Sequence, residues 1–405
     1  MNIKQLKNLE SSGKLLINFE RQPVSNRFLS ANSLTEAPRF PLQLRVDLHT
    51  GLIHQGKPFP FAELKPHYDW LTCFEPEDHL DELVQDLIRL PGVSQASVFG
   101  AYSFKDDSTL ARLEKLGYTN NWRIDPARDL DIFDPCANVE SYQCALTPAK
   151  VEEILTHHGP ADVFIVRHVL EHAYDLPEFI EAIRHMVSKG GYIVWELPDC
   201  QRAFSTGDCT TVWEEHIFYF TSVTFKKLLI DSGFSIFHFK SVSYPLENSL
   251  VAITQEAQIN KNRVKADPHL VAEEIVRAQM FVQIFARRRI DIRKKLETLH
   301  KERGAIAIFG AGHLSVAFIS LMQVEDLIVF VVDDNPNKKG LHMPVGKLPI
   351  IGSEALSTGE IKVCLLGLNP QNHEKVIAKH RRFLEQGGIF ASIFPGGKLD
   401  LEHIH

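Results

Sequence analysis

Short apolar runs and stretches with helical spacing alternate twice along the chain, over residues 92–255 and again over residues 305–395. Asp162–Val166 (DVFIV) has the short, mostly apolar sequence of a buried strand, whereas Pro148–His157 places its apolar residues three or four positions apart. Strands that alternate with helices favour right-handed crossovers within a parallel sheet. We therefore predict an α/β protein with two such units.

The pattern predicts individual elements in both units. Strands of the first unit are expected over Ala96–Gly100, Asn121–Ile124, Asp162–Val166, Tyr192–Leu197, Ser235–Val242 and Ser249–Thr254. Its helices are expected over 75–90, Ser108–Leu116, Pro148–His157, Pro177–Val187 and Ser222–Ser232, and Gly190–Gly191 should break the chain before a strand. Strands of the second unit are expected over Ala305–Phe309, Leu327–Val332, Lys362–Leu366 and Ile389–Ile393.

The remaining residues complete a predicted division into four parts. Residues 1–75 contain six prolines and are expected to be irregular, with small strands such as Leu42–Val46, and to pack mainly against the domain that follows. Residues 267–303 have the pattern of one long charged helix that connects two domains. The predicted boundaries are 1–75, 76–260, 261–304 and 305–405.

Composition narrows the class of protein. The chain of 405 residues is 44% hydrophobic and 23% charged with a net charge of -7, which is ordinary globular composition. Without a basic excess, neither nucleic acid nor an anionic membrane is an expected partner. The six cysteines include no CxxC pair, the first residues lack a signal sequence, and no run of about 18 apolar residues occurs, so we expect a cytoplasmic protein.

Ligands of an open parallel sheet bind beyond the carboxyl ends of its strands. The loop after Phe99 contains only one glycine, Gly100, whereas a loop that binds phosphate usually needs several. Asp125 closes the next strand, 25 residues after Gly100, where an acidic residue commonly accepts hydrogen bonds from ribose hydroxyls. Alternatively, Asp125 is a surface carboxylate that starts a turn.

Titratable side chains follow two further strands. Arg167, His168 and His172 come directly after the strand ending at Val166, and the two histidines would share one face of a helical turn. A metal would need a third ligand, and none is evident nearby. Glu215 and His216 lie among aromatic residues and could form a general base, or they could be a charged loop beside a core.

The second unit carries a turn that resembles part of a dinucleotide fingerprint. Gly310 and Gly312 follow a strand, Ser315 stands where a third glycine is usual, and Asp333 lies 21 residues after Gly312. An α/β domain can use the same tight turn without binding a dinucleotide, and we favour that interpretation.

Stretches throughout the chain resemble the S-adenosylmethionine-dependent sugar C-methyltransferases, which act on nucleotide-activated 4-keto deoxysugars. The resemblance implies three parts: a small zinc-binding domain, a class I methyltransferase domain with a Rossmann-like sheet, and a C-terminal Rossmann-like domain. The matching stretches are FERQPVSNRFL (19–29), TGLIHQ (50–55), VFIVRHVLEHAYD (163–175), GGYIVWELPD (190–199), EHIFYFT (215–221), LLIDSGF (228–234) and FVVDDNPNKKGLHMPVGKLPI (330–350).

The resemblance also implies a site. Glu215 and His216 match the Glu-His pair that would abstract a proton, and His172 matches a histidine near cofactor and substrate. Gly100 matches the first motif glycine and Asp125 the acidic residue that binds the ribose. Together with Asp107, Arg167 and His168, from the loops beyond the strands, they are the residues expected to bind S-adenosylmethionine. The implied partner is a small nucleotide sugar.

Three departures from the family pattern stand out. Asp47 and Thr50 replace the second pair of zinc cysteines, so zinc binding is not expected. The glycine-rich cofactor loop is replaced by the bulkier Ala101–Ser108, and Trp213 stands where a tyrosine is expected.

Three hypotheses follow. The leading one is an S-adenosylmethionine-dependent C-methyltransferase acting on a nucleotide-linked keto sugar. The second is a degenerate methyltransferase that serves as a binding or assembly protein, which the altered cofactor loop favours. The third is a nicotinamide-dependent oxidoreductase that uses Gly310 and Gly312. The sequence leaves the sugar, the nucleotide, the methylated carbon and the oligomeric state open.

Overall fold

A computed structural model describes residues 13–32, 35–71, 75–103, 107–257 and 267–404, and the fold is given for these. Cys73 lies outside the described residues, as do residues 104–106 in the loop after the first predicted strand. The five described cysteines form no disulfide. No helix among the described residues is long and apolar enough to cross a membrane.

The elements follow the predicted order closely. The strands up to residue 256 are β1 (Lys14–Pro23), β2 (Leu29–Ser30), β3 (Arg39–Val46), β4 (Ile53–Gln55), β5 (Phe99–Tyr102), β6 (Asn121–Arg123), β7 (Ala161–Arg167), β8 (Val187–Asp199), β9 (Phe218–Tyr219), β10 (Phe234–Val242) and β11 (Asn248–Glu256). The helices up to residue 303 are α1 (Phe61–Leu64), α2 (Leu80–Ile88), α3 (Thr109–Lys115), α4 (Pro126–Leu130), α5 (Val139–Ala145), α6 (Pro148–His158), α7 (Leu176–His185), α8 (Gln201–Thr206), α9 (Ser222–Asp231) and α10 (Pro268–Arg303). The remaining elements are β12 (Ala305–Phe309), α11 (His313–Met322), β13 (Ile328–Val332), β14 (Leu341–His342), β15 (Ile350–Ile351), β16 (Ile361–Leu366), α12 (His373–Lys379), α13 (Arg381–Glu385) and β17 (Ile389–Ser392).

The chain forms two compact units. The first comprises the described parts of Met1–Leu15, Arg45–Gln201 and Glu215–Ile275, and the second comprises those of Leu16–Leu44, Arg202–Glu214 and Val276–His405. This division differs from the predicted domain boundaries, because residues 16–44 and 202–214 group with the C-terminal part of the chain. The border between the units falls directly before Glu215.

A six-stranded sheet forms the centre of the first unit, in the order β10-β11-β8-β7-β5-β6. Strands β6, β5, β7 and β8 are parallel, as predicted, whereas β11 pairs antiparallel with both β8 and β10. Only residues 243–247 join β10 to β11, and such a short connection permits a hairpin but no crossover. The predicted parallel α/β sheet is confirmed, with one reversed strand.

Both faces of this sheet are covered. Phe164 and Trp195 face one apolar core, and Val163 and Val194 face the other. Because successive side chains of a strand point to opposite faces, a strand buried on both sides has a continuous apolar sequence. The sequence DVFIV therefore identifies the central strand β7.

The glycine pair at 190–191 does not end an element, which corrects the prediction. Strand β8 begins at Val187 and passes through both glycines. Val187 pairs with Ala161 and Tyr192 pairs with Val163, so five steps on β8 oppose two on β7. Gly190 has φ +82°, a left-handed conformation that glycine adopts without steric cost, so the strand bulges here and continues.

The N-terminal segment is more regular than predicted. β1 has ten residues and β3 has eight. Within the second unit, β2 pairs antiparallel with β14, and the ring of Phe19 contacts that of Phe285 at a centroid distance of 5.2 Å. Residues 16–44 thus pack with the C-terminal part of the chain, and the prediction that they pack mainly against the following domain was wrong for this segment.

Hydrogen bonds close the turn at Asp47 and Thr50, where the related family would have zinc cysteines. Asp47 Oδ1 accepts the N–H of His49 at 2.9 Å, the N–H of Thr50 at 2.8 Å and the Thr50 hydroxyl at 2.9 Å. An aspartate that bonds the backbone two and three residues onward stabilises a turn without a metal.

We expect Asp47→Ala to lower the free energy of unfolding by about 1–2 kcal/mol, because a buried side chain that accepts three hydrogen bonds is lost. Asp47→Asn keeps an Oδ1 acceptor and should cost less. Urea denaturation of both variants measures the difference. Equal stability of the Ala variant and the wild type would contradict this role for Asp47.

The second unit contains a parallel sheet of five strands in the order β15-β13-β12-β16-β17. Its four long strands agree with the predicted ones to within one or two residues. Helix α10 extends over 36 residues and confirms the predicted long helix.

Candidate active site

The carboxyl end of β7 carries the first group of candidate residues. His168 follows the strand with φ +52°, a left-handed conformation that is uncommon for any residue except glycine. Its N–H donates to the carbonyl of Glu196 at 2.8 Å. Strained backbone of this kind often occurs at functional sites, and here it places the His168 ring beside the end of β8.

Arg167 is the centre of a buried ionic network. Its Nε donates to Glu196 Oε2 at 2.6 Å, and its Nη1 contacts the carboxylate of Asp107. Burial alone would lower the pKa of Arg167, but these two carboxylates raise it above its usual value. Burial would raise the pKa of Glu196, but Arg167 and His168 hold it well below its usual range.

His168 belongs to the same network. Its Nε2 lies 3.3 Å from Glu196 Oε1, and its Nδ1 lies 3.3 Å from Glu75 Oε2. Burial opposes the cation, but the surrounding carboxylates raise the pKa of His168 well above its usual value. The structure therefore brings three predicted cofactor residues, Asp107, Arg167 and His168, into one network in which they bind protein groups.

A second buried pair involves His172. Its Nδ1 lies 2.7 Å from Glu140 Oε1, and both side chains are almost fully buried. Burial would lower the pKa of His172, but Glu140 raises it above the usual value. Sequence reasoning missed Glu140, because an acidic residue in the first turn of a helix such as α5 normally faces solvent.

The backbone of several elements positions Glu215 and His216. Ile217 N–H donates to the carbonyl of Glu171, and Gln55 N–H donates to the carbonyl of Ile217, both at 2.8 Å. Gln55 Nε2 also donates to the carbonyl of His216 at 2.8 Å. The segment TGLIHQ thus holds the loop EHIFYFT, through the pairing of β4 with β9, a contact that neither sequence reveals alone.

The rings of His172 and His216 contact each other. Their centroids are 4.9 Å apart and their planes are nearly perpendicular, at 87°. Glu215 and His172 are buried and His216 is half-buried, so this group of side chains is only partly accessible to water. Groups of these types, shielded from solvent, suit proton transfer to or from a bound molecule.

His168 and His172 do not share a ligand site, although the sequence placed them on one helical face. His168 is held in the ionic network, whereas His172 lies with Glu171 and His216. The third member of this cluster, His216, could not be found from local spacing, because it lies more than 40 residues further along the chain.

Asp125 lies at the end of β6, as predicted, and its side chain is exposed. Its Oδ1 accepts the N–H of Arg128 at 2.8 Å and so caps helix α4. Asp125 therefore starts a helix, as a turn-forming surface carboxylate would. Its position also presents a carboxylate at the edge of the sheet where a ribose would bind.

Gly100 has a packing role. A Cβ atom built on it would lie 2.5 Å from a ring carbon of Phe164 and 3.0 Å from a ring carbon of Trp122. The absence of a side chain at this position therefore accommodates two aromatic rings of the core.

We expect Gly100→Ala to lower the free energy of unfolding by about 1–3 kcal/mol through overpacking. Phe164→Leu removes part of the ring, so the double variant should lose less stability than the sum of the single variants. Urea denaturation and a cofactor titration separate the two roles of Gly100. A loss of S-adenosylmethionine binding at unchanged stability would show instead that Gly100 serves the cofactor.

Polar groups at the ends of β5 and β6 fit the polar parts of S-adenosylmethionine. Tyr102 Oη and Trp122 Nε1 are buried and have no hydrogen-bond partner among the described residues, which is unusual for such groups. The exposed carboxylate of Asp125 can accept two ribose hydroxyls. These donors and acceptors match the polar groups of the cofactor. The space beside Gly100, however, is filled by the rings of Phe164 and Trp122.

Trp213, which replaces the expected tyrosine, packs within the second unit. Its ring stacks on that of His313 at a centroid distance of 4.3 Å, and its Nε1 donates to Ser25 Oγ at 3.3 Å. Burial lowers the pKa of His313 to about 4, so this imidazole is neutral at pH 7.

The GxG turn of the second unit is closed by its own acidic residue. Ala311 N–H donates to Asp333 Oδ2 at 2.8 Å, and Lys338 Nζ donates to the same oxygen at 3.2 Å. A Cβ on Gly310 would lie 2.9 Å from the carbonyl oxygen of Gly367. The turn and its aspartate thus stabilise the domain, which agrees with the interpretation favoured from the sequence.

Comparison with known proteins identifies both domains. Residues 109–238 match a family described as a methyltransferase domain, and residues 252–395 match a family described as a C-methyltransferase C-terminal domain. The second match includes Gly310 and Gly312, the residues on which the hypothesis of a nicotinamide-dependent oxidoreductase was based.

One curated relative is C-methyltransferase NovU of Streptomyces niveus. It is 24% identical to this chain over 282 residues, which are 67% of this chain and 66% of the relative. The chain thus matches just under two thirds of the length of that protein.

Solved structures of methyltransferases align with part of the chain. The 1,6-didemethyltoxoflavin-N1-methyltransferase of Burkholderia thailandensis is 11% identical and covers 45% of this chain and 78% of its own, with a TM-score of 0.30. Magnesium protoporphyrin IX methyltransferase of Synechocystis PCC 6803 is 17% identical and covers 44% and 78%, with a TM-score of 0.27.

The family matches and the topology of the sheet confirm the predicted fold class at the level of domains. The chain is therefore similar to a methyltransferase domain over residues 109–238 and to a C-methyltransferase C-terminal domain over residues 252–395.

Proposed function

We propose that the protein transfers a methyl group from S-adenosylmethionine to a carbon atom of a nucleotide-activated keto-deoxysugar. The observation that carries this proposal is the position of His216, which follows Glu215 in the chain, beside the buried His172–Glu140 pair. A base and a cationic hydrogen-bond donor at one edge of the sheet are the two groups that enolisation of a ketone requires.

The first step is removal of a proton from the carbon next to the carbonyl group. Glu215 or His216 accepts this proton, and the electron pair of the C–H bond moves toward the carbonyl oxygen. The His172 imidazolium donates a hydrogen bond to that oxygen and stabilises the enolate. When bound, S-adenosylmethionine supplies an electrophilic methyl group for the resulting carbanion, with Asp125 as the residue that would hold the ribose.

Glu140 acts on the reaction through His172. Because it accepts a hydrogen bond from Nδ1, it orients the ring and favours the cationic form that donates to the enolate. Glu140 is thus a positioning residue.

We expect Glu140→Gln to move the alkaline limb of the kcat profile to lower pH. The carboxylate raises the pKa of His172 above the ordinary value of a histidine, so its loss lets the imidazolium deprotonate at lower pH. Steady-state kinetics between pH 6 and pH 10 measures the limb. Glu181→Gln, beside the exposed His185, is the matched control and should leave the profile unchanged. An unmoved limb in Glu140→Gln would contradict this role.

The substrate class rests on the resemblance of several stretches to sugar C-methyltransferases, above all Phe330–Ile350, and is supported by the C-methyltransferase C-terminal match. A panel of nucleotide-linked 4-keto deoxysugars identifies the nucleotide, and the product formed from the accepted sugar identifies the methylated carbon.

Exchange of substrate hydrogen in D₂O tests the proposed step without the methyl donor. We expect the purified protein to exchange a hydrogen next to the keto group of one sugar in the panel, as measured by proton NMR, and to bind S-adenosylmethionine in a calorimetric titration. Absence of exchange with every sugar would contradict the substrate class. Absence of saturable binding up to millimolar cofactor would favour a binding or assembly protein, which the packing around Gly100 also allows.

A further inference from the structure

Three side chains in the first unit are close enough to share one metal ion. Glu171, His172 and His216 each offer a ligand atom, and these atoms all lie within 4.8 Å of one another. Glu171 and His172 are buried and His216 is half-buried. Two imidazoles and a carboxylate are the ligand set of many zinc sites that keep a fourth position open.

Glu171 provides a second, independent indication of a ligand. Its side chain is buried, and neither carboxylate oxygen has a close hydrogen-bond partner among the described residues. Oε1 forms an ion pair with His168 Nδ1 at 3.5 Å, which is longer than an ordinary hydrogen bond. Because a buried carboxylate without direct hydrogen bonds is unfavourable, a bound cation would supply the close contact that the ion pair does not.

Glu140 supplies the support that metal-binding histidines usually have. A histidine that binds a metal through one ring nitrogen commonly donates the other N–H to a carboxylate, which fixes the ring. The Nδ1 of His172 makes this bond to Glu140 at 2.7 Å, so coordination would come from Nε2.

We propose that Glu171, His172 and His216 form a site for a divalent transition-metal ion of the Zn²⁺ type, with Glu140 behind His172. Two nitrogen ligands select Zn²⁺ or Co²⁺ over Mg²⁺ and Ca²⁺, which prefer oxygen. If the proposed function is right, the ion inhibits methyl transfer, because it occupies the imidazoles that handle the proton and the enolate oxygen.

Metal binding is tested directly on the chelator-treated, tag-free full-length protein. We expect one equivalent of Co²⁺ to produce visible absorption bands of a four-coordinate site, and Zn²⁺ to displace it in a calorimetric titration. Glu171→Gln and His216→Asn should each weaken binding by at least about tenfold, and Glu140→Gln by roughly 10–100-fold. Circular dichroism checks that each variant is folded.

His185→Asn is the matched control, because His185 lies 3.8 Å from Glu181 on an exposed helix face and offers only an ordinary surface pair. It should bind Co²⁺ as the wild type does. Absence of stoichiometric binding, or binding that Glu171→Gln and His216→Asn both leave unchanged, would overturn the site. Because spectra and calorimetry do not depend on turnover, the two proposals fail separately: a metal-binding protein that, in its metal-free form, transfers no methyl group to any sugar would refute the proposed function and leave the metal site standing.

Discussion

Replacing Glu215 by Gln and His216 by Asn together should lower kcat by about 10²–10⁴-fold and leave the affinity for S-adenosylmethionine unchanged. The reason is that general-base catalysis contributes an acceleration of this size, whereas neither residue is among those proposed to bind the cofactor. Turnover of the accepted keto sugar and a calorimetric cofactor titration measure the two quantities. Gln keeps the size of Glu215, whereas Asn is smaller than the imidazole of His216, so circular dichroism checks that the double variant is folded.

The exposed Glu181–His185 pair provides the control for this experiment. The double variant Glu181→Gln, His185→Asn makes the same chemical changes on the surface of α7 and should retain full turnover. Wild-type kcat in the Glu215, His216 double variant would remove both residues from the mechanism.

Arg167→Met should lower the free energy of unfolding by about 3–5 kcal/mol. Glu196 and Asp107 would remain buried without the cation that compensates them, and breaking a buried ion pair on one side costs this much. Urea denaturation at pH 7 measures the loss. Arg287→Met is the control, since Arg287 is 86% exposed in its pair with Asp291 and should change the stability by less than about 0.5 kcal/mol.

The difference between wild type and Arg167→Met should shrink in acid. In the folded protein the pKa of Glu196 lies well below the ordinary value of 4.5. Its contribution to stability is therefore complete above about pH 4.5 and is lost as the pH falls through the folded pKa. A constant difference from pH 7 down to pH 3 would contradict the assignment of the loss to this network.

Much of the fold could be predicted because the apolar pattern records it directly. The run DVFIV identifies the central strand β7, since only a strand covered on both faces is apolar throughout. The predicted break at Gly190 failed because the bulge in β8 depends on its pairing with β7, and pairing partners leave no local mark in the sequence.

The candidate site shows more clearly that contacts between distant parts of the chain leave no local mark in the sequence. Glu215, His216 and His172 were named from motifs, and the structure brings the two histidines together. Glu140 and Gln55 were not named as site residues, because each reaches its partner across a long stretch of chain, and Gln55 stood in the matching stretch TGLIHQ without an expected role. Long-range partners of this kind emerge only from the folded structure.

Residues implied by resemblance alone were placed less accurately with respect to their role. Asp107 and Arg167 lie at the expected edge of the sheet but contact each other, and Gly100 accommodates Phe164. The position in the chain thus predicted where these residues lie, whereas their contacts with other side chains emerge only from the folded structure.

Transfer of a labelled methyl group to carbon tests the central claim most directly. The protein is incubated with S-adenosylmethionine carrying ¹³C in its methyl group and with the panel of nucleotide-linked 4-keto deoxysugars, and the product is examined by carbon–proton correlation NMR. We predict a new ¹³C methyl signal coupled to a ring carbon next to the former carbonyl group. A label found on oxygen or nitrogen, or a cofactor that binds but transfers no label to any sugar, would contradict the assignment.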